Sequence, residues 1–207
     1  MKIPLFPLNL VMFPGAKYPL HIFEERYKRL VNKCLATDDG FGIVLRSEQE
    51  ISDVGCFVRI SRILKRYDNG NLDIIVAGLY RFKVIASQHL PDGLIEAEIE
   101  EYSDEEDFEN FEALGIKALD QFQQIISKTE LFLSDSFWNN LSTAKKKSFK
   151  LAEKSGLNTD QQKQILVMQS ESKRLQYLIK HFSKVNQYLE KSEALKDIIA
   201  GDGYINE

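Results

Sequence analysis

The sequence predicts an α+β chain in which a β-rich N-terminal half gives way, near residue 102, to a helical half. Three observations carry this. Before that point apolar and polar residues alternate with period two, as in Ile95-Glu96-Ala97-Glu98-Ile99-Glu100, the pattern of a strand with one wet face. After it the apolar residues recur at helical spacing, as in Phe108, Phe111, Leu114, Ala118, Leu119, Phe122, Ile125 and Ile126. Between Val58–Leu64 and Leu72–Ala77 stands Asp68-Asn69-Gly70-Asn71, whose Asn-Gly pair tolerates the positive φ values of a tight hairpin turn. The expected organisation is a β domain over residues 1–102 with one inserted helix, a helical subdomain over 103–192, and a tail over 193–207.

The elements follow in order. Tyr27, Leu30, Val31, Cys34 and Leu35 predict a helix from about Glu24 to Ala36, with Glu24 and Glu25 at the end where the helix dipole favours negative charge. Leu72, Ile74 and Val76 share one strand face, and Pro91-Asp92-Gly93 marks a second turn. Ser103-Asp104-Glu105-Glu106 reads as a capping box opening the helical half. A second helix is expected from Phe137 to Glu153, stopped by Gly156. Thr159 to Gln162 reads as another capping box, and Leu175, Leu178, Ile179, Phe182, Val185 and Leu189 line the last long helix.

Composition narrows the function classes. In 207 residues, hydrophobic content is 43% and charged content 28%, values of a folded chain rather than a disordered one. A net charge of -4 argues against a general nucleic-acid or anionic-membrane binder, which needs a basic footprint. No stretch approaches the roughly 20 apolar residues of a membrane-spanning helix. Pro4, Pro7 and Pro14 break the apolar N-terminus, and no small-residue cleavage site follows. A cytoplasmic location is expected. Cys34 and Cys56 are too few and too far apart for a disulfide framework or a zinc site.

Catalytic constellations are missing. There is no Gly-x-x-x-x-Gly-Lys-Ser/Thr loop to cradle phosphates and no Gly-x-Ser-x-Gly nucleophile elbow. His21, His89 and His181 stand apart with no metal-ligand spacing. The carboxylates sit on the polar face of a strand or at helix starts, and Lys145-Lys146-Lys147 with Lys150 and Lys154 reads as a solvated helix face. No catalytic residue, cofactor or metal is expected.

Three segments together resemble the LON substrate-binding domain of Lon-type proteases. The first runs through Ile3-Pro4-Leu5-Phe6-Pro7-Leu8 and Val11-Met12-Phe13-Pro14-Gly15 to Pro19-Leu20-His21-Ile22-Phe23-Glu24-Glu25-Arg26-Tyr27. The second is Val54-Gly55-Cys56 leading into Arg59-Ile60. The third is Asp68-Asn69-Gly70 through Ile74 to Gly78-Leu79-Tyr80-Arg81-Phe82. The helical half, with Leu151, Thr159–Leu166 and Ser170–Leu178, is similar to the family's helical extension. The resemblance implies a PUA-like mixed β pseudo-barrel followed by a C-terminal helical subdomain. It implies a non-catalytic module that binds unfolded or degron-bearing polypeptides or a proteolytic partner, here without the family's ATPase and Ser–Lys peptidase. A separate protease or ATPase is a conceivable partner; a membrane is not. The alternative is an RNA-binding PUA-like protein, carried by basic residues at 59, 62, 65, 66, 81 and 83.

The matched residues read mostly as structural. Pro14-Gly15 suits a turn, Gly78 a bulge or a close backbone approach, and Arg81 and Phe82 opposite faces of a strand, one wet and one packed. A module that captures unfolded chains needs exposed apolar surface. The segment Leu8-Asn9-Leu10-Val11-Met12-Phe13 is more apolar than a connection should be. Leu10, Val11 and Met12, extended by Tyr18 and Tyr80, are the candidate peptide-binding residues, with Leu10 and Met12 expected near the surface. Met repacks easily against varied partners.

Overall fold

The sheet closes because one strand is long enough to serve three neighbours. The computed structural model describes residues 1–47, 50–107, 111–129 and 131–201, with side chains described through residue 192. Strand β5 (Leu72–His89, 18 residues) follows β1 (Lys2–Leu8), β2 (Lys17–Ile22), helix α1 (Glu25–Thr37), β3 (Gly40–Arg46) and β4 (Ile51–Arg66), and precedes β6 (Ile95–Glu101). The first half of β5 pairs with β2, its second half with β6, and most of its length with β4, all antiparallel. The strand order is β2-β5-β4-β3-β1-β6, and the return of β6 to β5 closes it. The pairing of β1 with β3 is parallel. The expected mixed pseudo-barrel with one inserted helix is what the chain forms. Pro19 lies in β2, at the open end of the order, where a missing backbone donor is tolerated.

The chain divides into two compact units, one of residues 1–105 with 152–169, the other of 106–151 with 170–207. Helix α5 (Thr159–Val167) therefore belongs to the unit of the sheet, although its sequence position is inside the span expected to be a helical subdomain.

In the first unit Ile3 and Leu5 of β1, Val44, Phe57, Phe82, Ala97 and Ile99 form one buried cluster. Burying a side chain of this size stabilises by roughly 1.5–3 kcal/mol. The β4–β5 turn is closed by Gly70 N–H donating to Tyr67 at 2.9 Å, with Gly70 at φ 81°, a value an L side chain resists. The Glu-x-Arg-Tyr helix start is structural throughout. Glu24 precedes the helix, Arg26 Nε donates to its carboxylate at 2.9 Å, and Arg26 Nη1 donates to the Gly93 carbonyl of the β5–β6 turn at 2.9 Å. Tyr27 stacks on Phe6 with ring centroids 3.8 Å apart.

The second unit is helical: α2 (Phe111–Thr129), α3 (Asp135–Thr143), α4 (Lys147–Ala152) and α6 (Glu171–Gly201). Phe122 of α2 and Phe182 of α6 are buried with centroids 5.5 Å apart. Arg174, fully buried, donates to Ser148 Oγ and Glu171 Oε2, each at 2.8 Å, and stands 4.3 Å over the Phe149 ring.

Three local expectations are corrected. Ser103–Glu106 caps no helix: residues 102–107 belong to no helix or strand, Ser103 donates to Glu101 at 3.0 Å, and Asp104 is taken by Arg81. Phe108 of the expected apolar stripe lies outside the described residues. The helix expected over Phe137 to Glu153 is two, because the Ser142 and Thr143 hydroxyls take the Asn139 carbonyl at 2.8 and 3.0 Å and Ala144 turns extended. Such side-chain bonds compete with the helix ladder. The box read as Thr159–Gln162 sits one residue earlier: Asn158 and Gln161 exchange the reciprocal bonds, both 2.9 Å.

Candidate functional site

Gly78 fixes the apolar connection between β1 and β2 against the sheet. Gly15 N–H donates to the Gly78 carbonyl and Gly78 N–H to the Ala16 carbonyl, each at 2.9 Å. A Cβ at Gly78 would run into the carbonyl oxygen of Phe13, so the backbones meet only because there is no side chain. The β4–β5 register also breaks here, between the pairs Phe57–Tyr80 and Val58–Gly78. Leu79 is the extra residue and is 46% exposed. Both readings of Gly78, bulge and close approach, hold.

The candidate residues separate by burial. Leu10 and Val11 are half-buried, and Tyr18 on β2 is exposed. Met12 is buried at 3% exposure, as is Phe13; the expectation of a surface Met12 is corrected. The Gly78 anchor draws the second half of the connection onto the sheet, and the apolar side chains there join the core. Tyr80 is half-buried and belongs with the core cluster: its ring stacks on Phe57 at 4.9 Å, 14° from parallel. Burial first, then the Glu101 carboxylate, raises its phenol above the usual 10.0, so it remains a neutral hydroxyl at physiological pH. Leu79 was missed by sequence reasoning. Its signal was present: with Leu72, Ile74 and Val76 facing inward, position 79 falls outward.

Arg81 overturns another expectation. It is 4% exposed, not on a wet face. One terminal nitrogen donates to the carbonyls of Leu166 and Met168 at 2.7 Å each, the other to Asp104 at 2.5 Å. Its guanidinium lies 5.0 Å over the Tyr102 ring, and the Tyr102 hydroxyl donates to Val167 at 3.0 Å. The strand faces α5 on this side, so both sides of the Arg81-Phe82 pair are covered. A residue that would have contributed to an RNA-binding surface is withdrawn into the interior.

Other chemistry is sparse. A cleft of about 320 Å³ mixes polar groups, among them Arg26, Arg46, Glu50 and His89, with Pro7, Tyr27, Ile51 and Ile95. Burial pushes the Cys34 thiol up to about 11 and the Cys56 thiol up to about 12, so neither supplies thiolate near neutral pH. Among the described residues no group of His, Cys, Asp and Glu has the arrangement of a metal site, and no helix is long and apolar enough to cross a membrane.

Comparison with known proteins agrees with this geometry. The family model of the ATP-dependent protease La (LON) substrate-binding domain matches residues 2–184. Lon protease 2 of Syntrophobacter fumaroxidans is 25% identical over an alignment of 207 residues, covering 95% of this chain and 26% of that protein. Lon protease of Cytophaga hutchinsonii is 34% identical over 91 residues, 40% of this chain and 11% of that protein. The chain thus spans about a quarter or less of these relatives. Among solved structures, a Lon N-terminal domain protein from Xanthomonas campestris is 28% identical with a TM-score of 0.65, over 86% of this chain and 97% of that one. The N-terminal domain of Mycobacterium avium complex Lon protease, 19% identical, shares the fold with a TM-score of 0.72 over 88% and 98%. The chain belongs to the ATP-dependent protease La (LON) substrate-binding domain family.

Proposed function

We propose that this chain is a non-catalytic, cytoplasmic polypeptide-binding module that engages unfolded or degron-bearing proteins, alone or beside a separate protease or ATPase. The observation that carries this reading is the apolar side chains left wholly or partly in water along the β1–β2 connection, β2 and β5. Leu10 and Val11 are only half-buried, and Tyr18 and Leu79 are exposed at 43% and 46%. Ligands without a fixed polar pattern are held by apolar contact, and such residues are otherwise costly to leave in water. Membership of a substrate-binding family supports the same reading. Catalysis has no support in the residues: both thiols are buried, and the sequence has neither phosphate loop nor nucleophile elbow.

The test is fluorescence anisotropy of a labelled, permanently unfolded polypeptide, such as a reduced and carboxymethylated globular protein, titrated with this chain. The unfolded form is expected to bind and its native counterpart not. Leu10→Ser/Tyr18→Ser is expected to weaken binding about tenfold or more with melting nearly unchanged. Met12→Ala, by contrast, costs roughly 2–5 kcal/mol of stability, as for a buried Met. Failure of the wild type to prefer unfolded over native polypeptide overturns the function. Binding untouched by the double variant overturns the location.

A further inference from the structure

The register of β2, β5 and β4 sorts nine residues into three rows on one face. Lys17 pairs with Ala77 and Ala77 with Arg59; Pro19 with Ile75 and Ile75 with Arg62; His21 with Asp73 and Asp73 with Lys65. Cross-strand partners share a face. Leu72, Ile74 and Val76 are buried on the other side, so these rows face outward. Arg59, Arg62 and Lys65 are three residues apart, a step that in a regular strand alternates faces. Register shifts after Ile60 and after Ile63 insert Ser61 and Leu64 as extra residues. Each step of three β4 residues therefore matches two residues of β5, one row to the next, and the three cations form one column.

The column is available. Lys17, Arg59, Arg62 and Lys65 are exposed. Asp38 approaches Arg59 only to 4.0 Å, with the two side chains 52% and 95% exposed in the order Arg59, Asp38, a pair worth little in water. Asp73 is engaged by His21 Nδ1 at 2.6 Å and by the Tyr67 hydroxyl at 2.7 Å. Counting the rows alone, four fixed cations and one carboxylate give 4 − 1 = +3, in a chain of net charge -4. Between the β4 and β2 columns lies the β5 column, Ala77 and Ile75 with Asp73 in the third row, and Pro19 of β2 borders Ile75.

We propose that this face binds acidic, extended polypeptide segments, their carboxylates on Arg59, Arg62 and Lys65 and their apolar parts over Ile75 and Pro19. The inference rests on the polypeptide-binding reading above and names the class of segment selected. Successive rows are two β5 residues apart, about 6.8 Å. The side chains on one face of an extended peptide repeat at the same distance, so Asp or Glu at every second position meets all three rows. A polypeptide is favoured over single-stranded nucleic acid because the middle of the rows, Ala77, Ile75 and Pro19, is aliphatic, and the aromatic rings Tyr67 and Phe23 stand only at the His21 end, Tyr67 already covered by Lys65 at 4.5 Å.

The test uses the full chain and a labelled twelve-residue peptide alternating Glu and Ser. The same peptide with Gln for Glu, a labelled oligouridylate and the unfolded polypeptide above are run in parallel. The Glu peptide is expected to bind at least about tenfold more tightly than the Gln peptide, with affinity falling as salt rises. Arg59→Gln/Arg62→Gln/Lys65→Gln is expected to reduce that binding about tenfold, the sum of three exposed ion pairs. As a check independent of any variant, amide shifts caused by the Glu peptide in the wild type fall on β2, β4 and β5. Equal binding of the two peptides, an unchanged triple variant, shifts elsewhere, or tighter binding of the oligouridylate at equal salt each overturns the proposal. If the unfolded polypeptide still binds in that case, the module's function stands and only its acidic selectivity falls; if neither binds, both fall.

Discussion

Replacing Arg81 with Met should cost the sheet unit about 3–5 kcal/mol, the range for removing one partner of a buried ion pair. The magnitude follows from what remains. Asp104, 12% exposed at its side chain, loses its guanidinium. The carbonyls of Leu166 and Met168 lose donors held at 2.7 Å, and a buried acceptor left without a partner costs about 1–3 kcal/mol. Met restores most of the aliphatic volume, so cavity formation adds little. Arg81→Lys keeps the charge but lacks the planar fork that reaches two carbonyls and a carboxylate at once, and its loss should be smaller. Urea unfolding followed by circular dichroism gives the total. Amide hydrogen exchange locates it: Ile165 and Leu166 in α5 should lose protection more than Ile43 and Val44 in β3. An Arg81→Met protein destabilised by less than about 1 kcal/mol, or one whose α5 amides exchange as in the wild type, would refute the claim that Arg81 ties α5 to the sheet.

Two further outcomes test the electrostatics. Arg174→Met should destabilise the helical unit by about 3–5 kcal/mol by stranding Glu171, which is 2% exposed; Glu171→Met/Arg174→Met should recover part of the loss. Trp138, the only tryptophan, lies 6.1 Å from the Phe122 ring and reports that unit's unfolding by fluorescence. The Asp73 carboxyl is held below its ordinary 3.8 chiefly by the hydrogen bond from His21, then by that from Tyr67. A carboxylate depressed on folding contributes stability that is full above about pH 3.8 and is lost as pH falls through the lower folded value. An NMR titration should place the Asp73 midpoint below 3.8 and move it upward in Tyr67→Phe; a midpoint at or above 3.8 in the wild type contradicts the pairing.

What was legible in the sequence is what obeys a period. Ile95–Glu100 alternates and forms β6, the Asn69-Gly70 pair turns the β4–β5 hairpin, and the Tyr27-Leu30-Val31-Cys34 spacing forms α1. Capping residues were readable as types but not always as positions. Ser103-Asp104-Glu105-Glu106 has the composition of a box, yet Asp104 gains more from a buried guanidinium in a distant strand than from a helix amide. Met12 was misplaced for a related reason. Its burial is set by the Gly15–Gly78 contact, 63 residues apart, which no local pattern encodes.

The surface chemistry was hidden by register. Strict alternation assigns Arg59 and Arg62 to opposite faces of β4, and only the shifts after Ile60 and Ile63 bring them and Lys65 into one column. Leu79 likewise stands out where the β4–β5 register breaks. Bulges re-aim side chains without breaking the strand, so the positions where a period-two reading goes wrong are those at which this sheet displays cations; Leu79 falls outward under that reading as well. Straightening β4 with all its residues kept would turn Arg62 into the phase of the inward-facing Val58 and Ile60. A bulge therefore holds the fold and the charged face compatible in one strand: Val58 stays buried, and the cations beyond it stay in water.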